Sequence, residues 1–253
     1  MWSEQRHHRI LSLLLAHGRI ETEHLAETLN VSRETVRRDL VKLEIAGKVR
    51  RVHGGVIATE LPLEKPFGMR RLVNAREKQR IAKAGARLLK PGECCFVDAG
   101  TTTAAFAVEL AKVPGIAVIT NSFDVASTMR AAQPDADVLL LGGQLGSDVP
   151  ATYGEITIAQ IERFRVDWAV VSPVALHPEH GATDYFLPEA EIARSMIANA
   201  AQLILLADRS KIGEISRVRL CSCEDIDVLV MDSGGHPLLA SLEEAGVKRL
   251  VHV

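Results

Sequence analysis

Residues 98–103 read Asp-Ala-Gly-Thr-Thr-Thr directly after a short apolar segment, and this pattern can bind an anion. The glycine permits a tight turn, while backbone N–H groups and hydroxyls at the start of a helix converge on negative charge. Asp98 can accept hydrogen bonds from sugar hydroxyls, and Lys211 can supply a point charge to a phosphate. Taken alone, the pattern is equally typical of a capped turn between a strand and a helix.

Residues 76–253 alternate short apolar segments with helical patterns, which predicts a mostly parallel sheet covered by helices on both faces. We expect strands at 93–97, 116–120, 138–141, 168–171, 203–207, 228–231 and 249–253. We expect helices at 77–89, 103–112, 124–130, 156–164, 188–199 and 238–245. Ligands of such sheets bind beyond the carboxyl ends of the strands. This rule selects loops at 98–103, 120–122, 142–143, 172–173 and 208–211, whose polar groups would share one rim.

The overall formal charge of −2 conceals an uneven distribution. Residues 1–58 contain ten Lys and Arg against seven Asp and Glu, whereas residues 59–253 contain twenty against twenty-five. Basic side chains are dense between Arg33 and Arg51, and a local basic surface can attract a polyanion whatever the net charge. The first 58 residues therefore favour contact with nucleic acid.

Three short helical patterns and a basic hairpin follow one another within residues 1–58. We expect Thr22 to cap the second helix, at 23–29, and Ser32 to cap the third, which runs to about residue 46. The third helix has one buried apolar stripe, formed by Val36, Leu40 and Leu43. Its outward face carries the adjacent Arg37 and Arg38 near the start of the helix and suits a DNA major groove, where arginine can bind guanine through two hydrogen bonds. Short strands at 48–52 and 55–58 would form the wing of a winged helix-turn-helix.

The segments SRETVRRDL and LE-x-x-GK-x-x-R-x-HGG closely resemble the helix-turn-helix signature of the DeoR family of bacterial sugar-catabolism regulators. The resemblance covers nearly all of residues 6–57 and implies that Ser32 through Lys42 form the recognition helix of an operator-binding repressor. The expected DNA-contacting residues are Ser32, Arg33, Glu34, Thr35, Arg37, Arg38, Lys42, Arg50, Arg51 and His53. We expect a homodimer or homotetramer on double-stranded operator DNA, because one monomer makes too few phosphate contacts.

The order DAGTTT, TNS, LGG and D-x-SK-x-G resembles the effector domain of the same family over most of residues 76–232. The resemblance implies the fold of pentose-phosphate isomerases and a phosphorylated sugar or polyol as effector. Carried over residue by residue, it implies a site lined by Asp98, Gly100, Thr101, Thr102, Thr103, Asn121, Gly142, Gly143, Glu191 and Lys211. Two departures leave the identity of the effector open. The segment SPVAL stands where the family commonly has glycines, and the loop at 176–187 is distinctive.

The expected organisation is a winged helix-turn-helix at 1–58, a linker at 59–75 and an α/β effector-binding domain at 76–253. The function that follows is repression of a carbohydrate catabolic operon, relieved when the effector binds. One alternative is a sugar-phosphate isomerase fused to a DNA-binding head. Isomerisation needs a carboxylate base and a second polar group, but 168–176 contains no acid, and Glu189 and Glu191 point to different faces of a helix. Another alternative is an architectural DNA-binding protein without a ligand.

Several further classes of protein are disfavoured by the composition. No apolar run approaches the roughly 20 residues of a membrane span, and the N-terminus has no secretory signal, so we expect a cytoplasmic protein without membrane contact. The cysteines do not have zinc-site spacing. His177 and His180 could form a metal-binding pair, but Pro178 lies between them and no cysteine is adjacent in sequence. The sequence therefore predicts an ordinary polar loop there, with no metal, no cofactor and no catalytic residue.

Overall fold

The structure is a computed structural model that describes residues 3–17, 19–45, 48–52, 54–58, 66–145, 148–232 and 235–253. The chain divides into two compact units, Met1–Arg70 and Arg71–Val253. The division falls inside the connector predicted at 59–75, of which 59–65 lie outside the described residues. Each unit has its own core of buried apolar side chains. None of the described helices combines the length and apolar character needed to cross a bilayer.

The N-terminal unit combines helices with a small antiparallel sheet. Its helices are α1 (Ser3–His17), α2 (Thr22–Leu29), α3 (Arg33–Ile45) and the short α4 (Phe67–Arg70). Its strands are β1 (Arg19–Glu21), β2 (Val49–Val52) and β3 (Gly55–Ala58), in the order β1-β3-β2. The predicted stripe of α3 is confirmed, because Val36, Leu40 and Leu43 are almost completely buried. This stripe fixes which face of α3 points outward.

The start of α2 differs from the prediction. Thr22 is the first residue of the helix rather than its cap, and the capping position falls on Glu21, whose side chain makes no capping hydrogen bond. The Thr22 N–H donates instead to the carbonyl of Gly54 at 3.1 Å, because β1 pairs with β3 immediately before the helix. After α2 the chain turns at Asn30, which adopts the left-handed conformation with φ 51°.

The C-terminal unit is built on a seven-stranded sheet in the part of the chain that the structure describes. Its strands are β4 (Cys94–Val97), β5 (Ala117–Thr120), β6 (Asp137–Leu140), β9 (Val166–Val171), β12 (Ala200–Ala207), β14 (Val228–Met231) and β15 (Leu250–His252). The order across the sheet is β15-β14-β12-β9-β4-β5-β6, and all neighbouring pairs are parallel. The sequence prediction of these strands and of a parallel sheet is confirmed.

Helices cover this sheet, and the predicted helices are confirmed with ends shifted by one to three residues. They are α5 (Ala75–Ala86), α6 (Thr101–Leu110), α7 (Phe123–Ala132), α8 (Glu155–Ile161), α9 (Leu187–Ala198) and α10 (Leu239–Glu244). Sequence reasoning missed two small antiparallel sheets. They consist of β7 (Gln144–Leu145) with β8 (Thr152–Tyr153), and of β10 (Ala175–His177), β11 (Gly181–Asp184) and β13 (Val218–Cys221).

The strand order reverses between β4 and β9. From β4 the chain proceeds outward through β5 to β6, then crosses to the other side of β4 and continues through β9, β12, β14 and β15. Connections on the two sides of such a point diverge and leave a crevice at the carboxyl ends of the strands, where ligands bind in open α/β sheets. Asp98 follows β4 and Ser172 follows β9, so these residues stand on opposite sides of the crevice.

Candidate functional site

The outward face of α3 carries the side chains predicted to contact DNA. Arg37 and Arg38 are exposed on this face, as are Glu34 and Lys42. Ser32 is exposed at the start of the helix, where its Oγ accepts a hydrogen bond from the Thr35 N–H at 3.1 Å. The predicted cap is therefore present. This cap holds in place the end of α3 that would enter a DNA groove. The neighbouring guanidinium groups of Arg37 and Arg38 remain exposed to solvent.

Three of the predicted basic residues lie beside acids or outside the described residues. Arg33 is ion-paired with Glu23 of α2. The side chain of Arg51, on β2, donates to the carboxylate of Glu44 at 2.6 Å, and the Arg51 N–H donates to the same carboxylate. The hydrogen bonds from the Arg51 N–H and side chain hold the pKa of Glu44 below its usual value. His53 lies outside the described residues. Arg50 is exposed on β2.

Sequence reasoning missed a buried ionic cluster behind α3. Asp39 is 3% exposed and accepts hydrogen bonds from Arg6 Nε at 2.8 Å and from His7 Nε2 at 3.0 Å. Burial opposes ionisation of Asp39, but the hydrogen bonds from Arg6 and His7 outweigh it and keep the pKa of Asp39 below its usual value. The cluster joins α1 to the inner side of α3.

In the C-terminal unit, Asp98 is a buried carboxyl group at the mouth of the crevice. It is 7% exposed, and its Oδ1 accepts from the Ala99 N–H at 2.7 Å. Burial raises the pKa of Asp98 well above its usual value, against the Ala99 hydrogen bond, and the negative charges of Asp184 and Glu189 raise it further. The carboxyl groups of Asp184 on β11 and Glu189 on α9 therefore lie near enough to Asp98, which follows β4, to act on its charge. Sequence analysis did not identify Asp184, because its strand is too short to show a periodic pattern.

The first turn of α6 contains the predicted threonines in three different environments. Thr101 accepts a hydrogen bond from Lys78 Nζ at 3.0 Å, and Thr103 donates to the Gly100 carbonyl at 3.0 Å. Thr102 is buried, and its hydroxyl has no hydrogen-bond partner among the described residues. Lys78, on α5, is itself only 6% exposed and was not predicted. A cavity of about 340 Å³ opens beside Lys78 and Thr101.

Lys211 lies on the other side of the crevice, after β12. Its Nζ donates to Ser172 Oγ at 3.1 Å and to the carbonyl of Pro173, both in the loop after β9. The neighbouring Asp208 is buried and accepts from Asn74 Nδ2 at 2.9 Å. The loop after β9 is the segment that departs from the family pattern, and here it supplies acceptors that hold the Lys211 ammonium.

Asn121 follows β5, the neighbour of β4, and is completely buried. Its Nδ2 donates to the Thr152 carbonyl at 3.0 Å, while its Oδ1 has no hydrogen-bond partner in the described part of the chain. A buried polar atom without a partner costs about 1–3 kcal/mol. The unpartnered atoms of Asn121 and Thr102 therefore mark the edge of the sheet near β4 as a place where a ligand could supply hydrogen bonds.

Gly142 and Gly143 follow the edge strand β6, two strands away from β4. The Gly142 N–H donates to Gln160 Oε1 at 3.1 Å, and its carbonyl accepts from Thr157 Oγ1 at 2.9 Å. At Gly143 a Cβ would lie 2.0 Å from Thr157 Oγ1, so the chain requires glycine for close packing against α8. The contacts of both glycines serve the fold of this loop.

On α9, Glu191 is exposed, whereas Glu189 is half-buried and interacts electrostatically with Asp98. The two glutamates do point to different faces of the helix, as the sequence indicated. The structure thus brings Glu189 toward the crevice, and the described contacts do not bring Glu191 there.

The loop after β10 holds a further group of polar residues outside the crevice. One potential ligand atom from each of His177, Glu179 and His180 lies within 4.8 Å of the others. The sequence indicates only the two histidines as a possible pair, with no cysteine near them in the chain. In the fold, however, the buried thiol of Cys223 lies 3.6 Å from the His177 carbonyl oxygen.

Comparison with known families gives a match over most of both units. Residues 6–60 match the DeoR-like helix-turn-helix domain, and residues 73–233 match the DeoR C-terminal sensor domain. Similar full-length proteins include the HTH-type transcriptional repressor GlcR of Bacillus subtilis, 34% identical over 99% of this chain and 97% of that protein. The glycerol-3-phosphate regulon repressor of Escherichia coli is 30% identical over 92% of each chain.

Solved structures of ribose 5-phosphate isomerases align with about half of the chain. Ribose 5-phosphate isomerase A from Methanocaldococcus jannaschii aligns with a TM-score of 0.40 and 18% identity over 55% of each chain. A D-ribose-5-phosphate isomerase in complex with phospho-erythronic acid aligns with a TM-score of 0.41 and 16% identity, over 55% of this chain and 54% of that one.

Proposed function

This chain belongs to the DeoR family of transcriptional regulators, and we propose that it represses a carbohydrate or polyol operon until a phosphorylated metabolite binds its C-terminal unit. It is a regulator and not an enzyme, like the relatives that are named as repressors. The proposal concerns three points: the contact with operator DNA, the class of effector, and the direction of the response.

The exposed face of α3 supports the contact with DNA. Arg37 and Arg38 are adjacent, exposed, and close to a capped helix start, which favours phosphate. Arginine forms two hydrogen bonds with guanine in the major groove, and the groove admits one helix. Ser32 and Thr35 lie at this end of α3, and Lys42 lies on the same face as the arginines. Arg50 and Arg51, on the β2–β3 hairpin, would contact the DNA backbone.

The crevice between β4 and β9 supports a phosphorylated effector, and its position at the reversal of strand order is the observation that carries the proposal. The positive end of α6 and the ammonium of Lys78 lie together, so they suit a phosphate group. The unpartnered hydroxyl of Thr102 adds a donor at the same turn. Lys211 brings a second positive charge from the opposite side of the crevice.

The carboxyl groups favour a hydroxylated portion of the effector. Asp184 and Glu189 both act on the charge of Asp98, and carboxylates accept hydrogen bonds from sugar or polyol hydroxyls. A protonated Asp98 can in addition donate one hydrogen bond. We therefore assign the phosphate to the α6 side of the crevice and the hydroxyl groups to the carboxyl cluster.

The effector can change DNA affinity only as far as it binds one arrangement of the protein better than another. Such coupling usually amounts to about 1–3 kcal/mol, or about 5–150-fold in affinity. Relatives such as GlcR and the glycerol-3-phosphate regulon repressor are named as repressors, and release from the operator is the direction we propose. We further propose a homodimer or homotetramer, which would match a repeated or palindromic operator.

A binding experiment with the full chain tests this function. An operator duplex is first enriched from a random pool, and its affinity is then measured with glycerol 3-phosphate, a pentose 5-phosphate or a hexose 6-phosphate present. Glycerol and inorganic phosphate serve as controls. One phosphorylated compound should raise the unfolding temperature and weaken operator binding. At 100 times its Kd, a ligand adds about 2.7 kcal/mol of stability.

A variant and its matched control locate the site. Lys211→Ala should abolish the response to the effector while operator affinity stays unchanged, and Lys83→Ala, an exposed lysine on α5, should leave both unchanged. Tight operator binding with no response to any phosphorylated compound would favour a DNA-binding protein without a ligand. Turnover of a sugar phosphate would contradict the regulatory function.

A further inference from the structure

The tip of the β10–β11 hairpin brings two imidazoles and one carboxylate together at the surface. A potential ligand atom of His177, of Glu179 and of His180 each lies within 4.8 Å of the other two. The two imidazole rings have centroids 5.1 Å apart and are tilted by 44°. We propose that this turn binds a first-row divalent transition-metal ion or Zn²⁺, at a site separate from the crevice between β4 and β9.

The backbone holds this turn in place before any metal binds. His177 and Gly181 are paired across the antiparallel hairpin, so both ends of the turn are fixed. Gly181 has φ +70° and lies so close to β13 that a Cβ would be 2.1 Å from the Cys221 carbonyl oxygen. From behind, the buried Cys223 thiol donates to the carbonyls of His177 and Pro178, at 3.6 and 3.5 Å.

The hydrogen bond of His177 identifies its ligand atom. The N–H of Glu179 donates to His177 Nδ1 at 3.1 Å. A neutral imidazole that accepts at Nδ1 carries its proton on Nε2, so the Nδ1 lone pair points into the turn. A metal ion would take this lone pair in place of the Glu179 N–H. That N–H belongs to an exposed residue, and water would then have to serve as its acceptor.

The donor set selects the class of ion. Imidazole nitrogen suits Zn²⁺, Co²⁺, Ni²⁺ and Cu²⁺, whereas Mg²⁺ and Ca²⁺ prefer oxygen ligands. Zn–N and Zn–O bonds of about 2.0–2.1 Å place tetrahedral ligand atoms about 3.4 Å apart. Glu179 and His180 are exposed side chains, so rotation of their bonds can close the remaining distance. With three protein ligands, the fourth position would hold water.

Metal titration of the full chain tests the site. Zn²⁺ binding is measured by calorimetry and Co²⁺ binding by its visible absorption, in a buffer without chelating groups. Glu179→Gln and His180→Ala should each weaken binding of both ions by at least about tenfold. His252→Ala removes an exposed histidine from β15 and is the matched control, because the chain has nine histidines that can bind metal weakly.

Two results would overturn the proposal. Either the turn variants bind Zn²⁺ and Co²⁺ as tightly as the unsubstituted chain, or His252→Ala weakens binding as much as they do. Glu179→Gln nearly preserves the size of the side chain, and it changes an exposed residue. Its unfolding temperature without metal should therefore equal that of the unsubstituted chain, so that a loss of binding reports on the ligand alone.

Discussion

Arg6 Nε donates to Asp39 Oδ2 at 2.8 Å, and this ion pair joins α1 to the inner side of α3. Asp39 follows directly after Arg37 and Arg38 in the chain, yet its side chain is buried while theirs are exposed. The ion pair therefore acts on the face of α3 opposite to the one proposed to contact DNA. It fixes the orientation of the helix, and through it the direction of the two arginines.

Replacing Asp39 by Asn should destabilise the N-terminal unit. Arg6 would lose its charged acceptor, and leaving a buried donor unsatisfied costs about 1–3 kcal/mol. Hydrogen exchange of the α1 and α3 amides measures this loss locally. Glu27→Gln, an exposed change on α2, is the control and should leave exchange unchanged. Equal exchange in Asp39→Asn and the unsubstituted chain would contradict a stabilising role for the ion pair.

The same group predicts a dependence on pH. The pKa of Asp39 is lowered in the folded state, so the unfolded state binds the proton more readily. Its contribution is therefore complete above the ordinary carboxyl pKa and is lost as the pH falls below about 4. The protection factors of the α3 amides, which correct exchange for its intrinsic dependence on pH, should fall more between pH 6 and pH 3.5 in the unsubstituted chain than in Asp39→Asn. The reverse order would show that Asp39 is not ionised in the fold.

Removing either exposed arginine of α3 should weaken operator binding and leave effector binding intact. Loss of a side chain that reads a base costs about 1–3 kcal/mol, and loss of one that contacts phosphate reduces the slope of log affinity against log salt concentration by about one. Arg37→Ala and Arg38→Ala are compared by fluorescence anisotropy at several salt concentrations. Arg163→Ala, an exposed change in the C-terminal unit, is the control. If Arg37→Ala and Arg38→Ala changed only the effector response, the assignment of DNA binding to this unit would be wrong.

Asp98→Asn should stabilise the protein at alkaline pH while it abolishes the effector response. Burial raises the pKa of Asp98, so the folded state favours the protonated carboxyl and loses stability as the pH rises. Asn cannot ionise and removes that penalty. The gain in unfolding temperature over the unsubstituted chain should be larger at pH 8.5 than at pH 5. Glu162→Gln, on an exposed residue after α8, should show no such difference.

The sequence sufficed for the main sheet because its strands are continuous apolar segments separated by helical patterns. It also located α3, whose stripe of Val36, Leu40 and Leu43 has helical periodicity. Each of these elements is defined by neighbours in the chain. Asp184 and Glu189 could not be assigned to the site in this way, because they come near Asp98 only in the folded unit, where β11 packs against α9 and α9 packs against the sheet.

For two charged residues that sequence analysis missed, the sequence does contain a signal. Asp39 stands three residues after Val36 and four before Leu43, in phase with the buried stripe of α3. Lys78 likewise stands three and four residues before Ile81 and Ala82, on the buried face of α5. A charged residue in phase with an apolar stripe must be paired or hydrogen-bonded when the helix packs. Periodicity could therefore have singled out both positions, although not their partners.

Gly143→Ala should destabilise the C-terminal unit, whereas Gly142→Ala should have little effect. A Cβ at Gly143 would lie 2.0 Å from Thr157 Oγ1 and 2.7 Å from the Tyr153 carbonyl, so the backbone of the loop must move. Such overpacking costs about 1–3 kcal/mol. At Gly142 the nearest atom is the flexible amide end of Gln160, at 3.3 Å, which can shift. Chemical denaturation of both variants measures the difference. Equal stability would contradict the packing of this loop against α8, and a selective loss of effector binding in Gly142→Ala would place the loop in the ligand site.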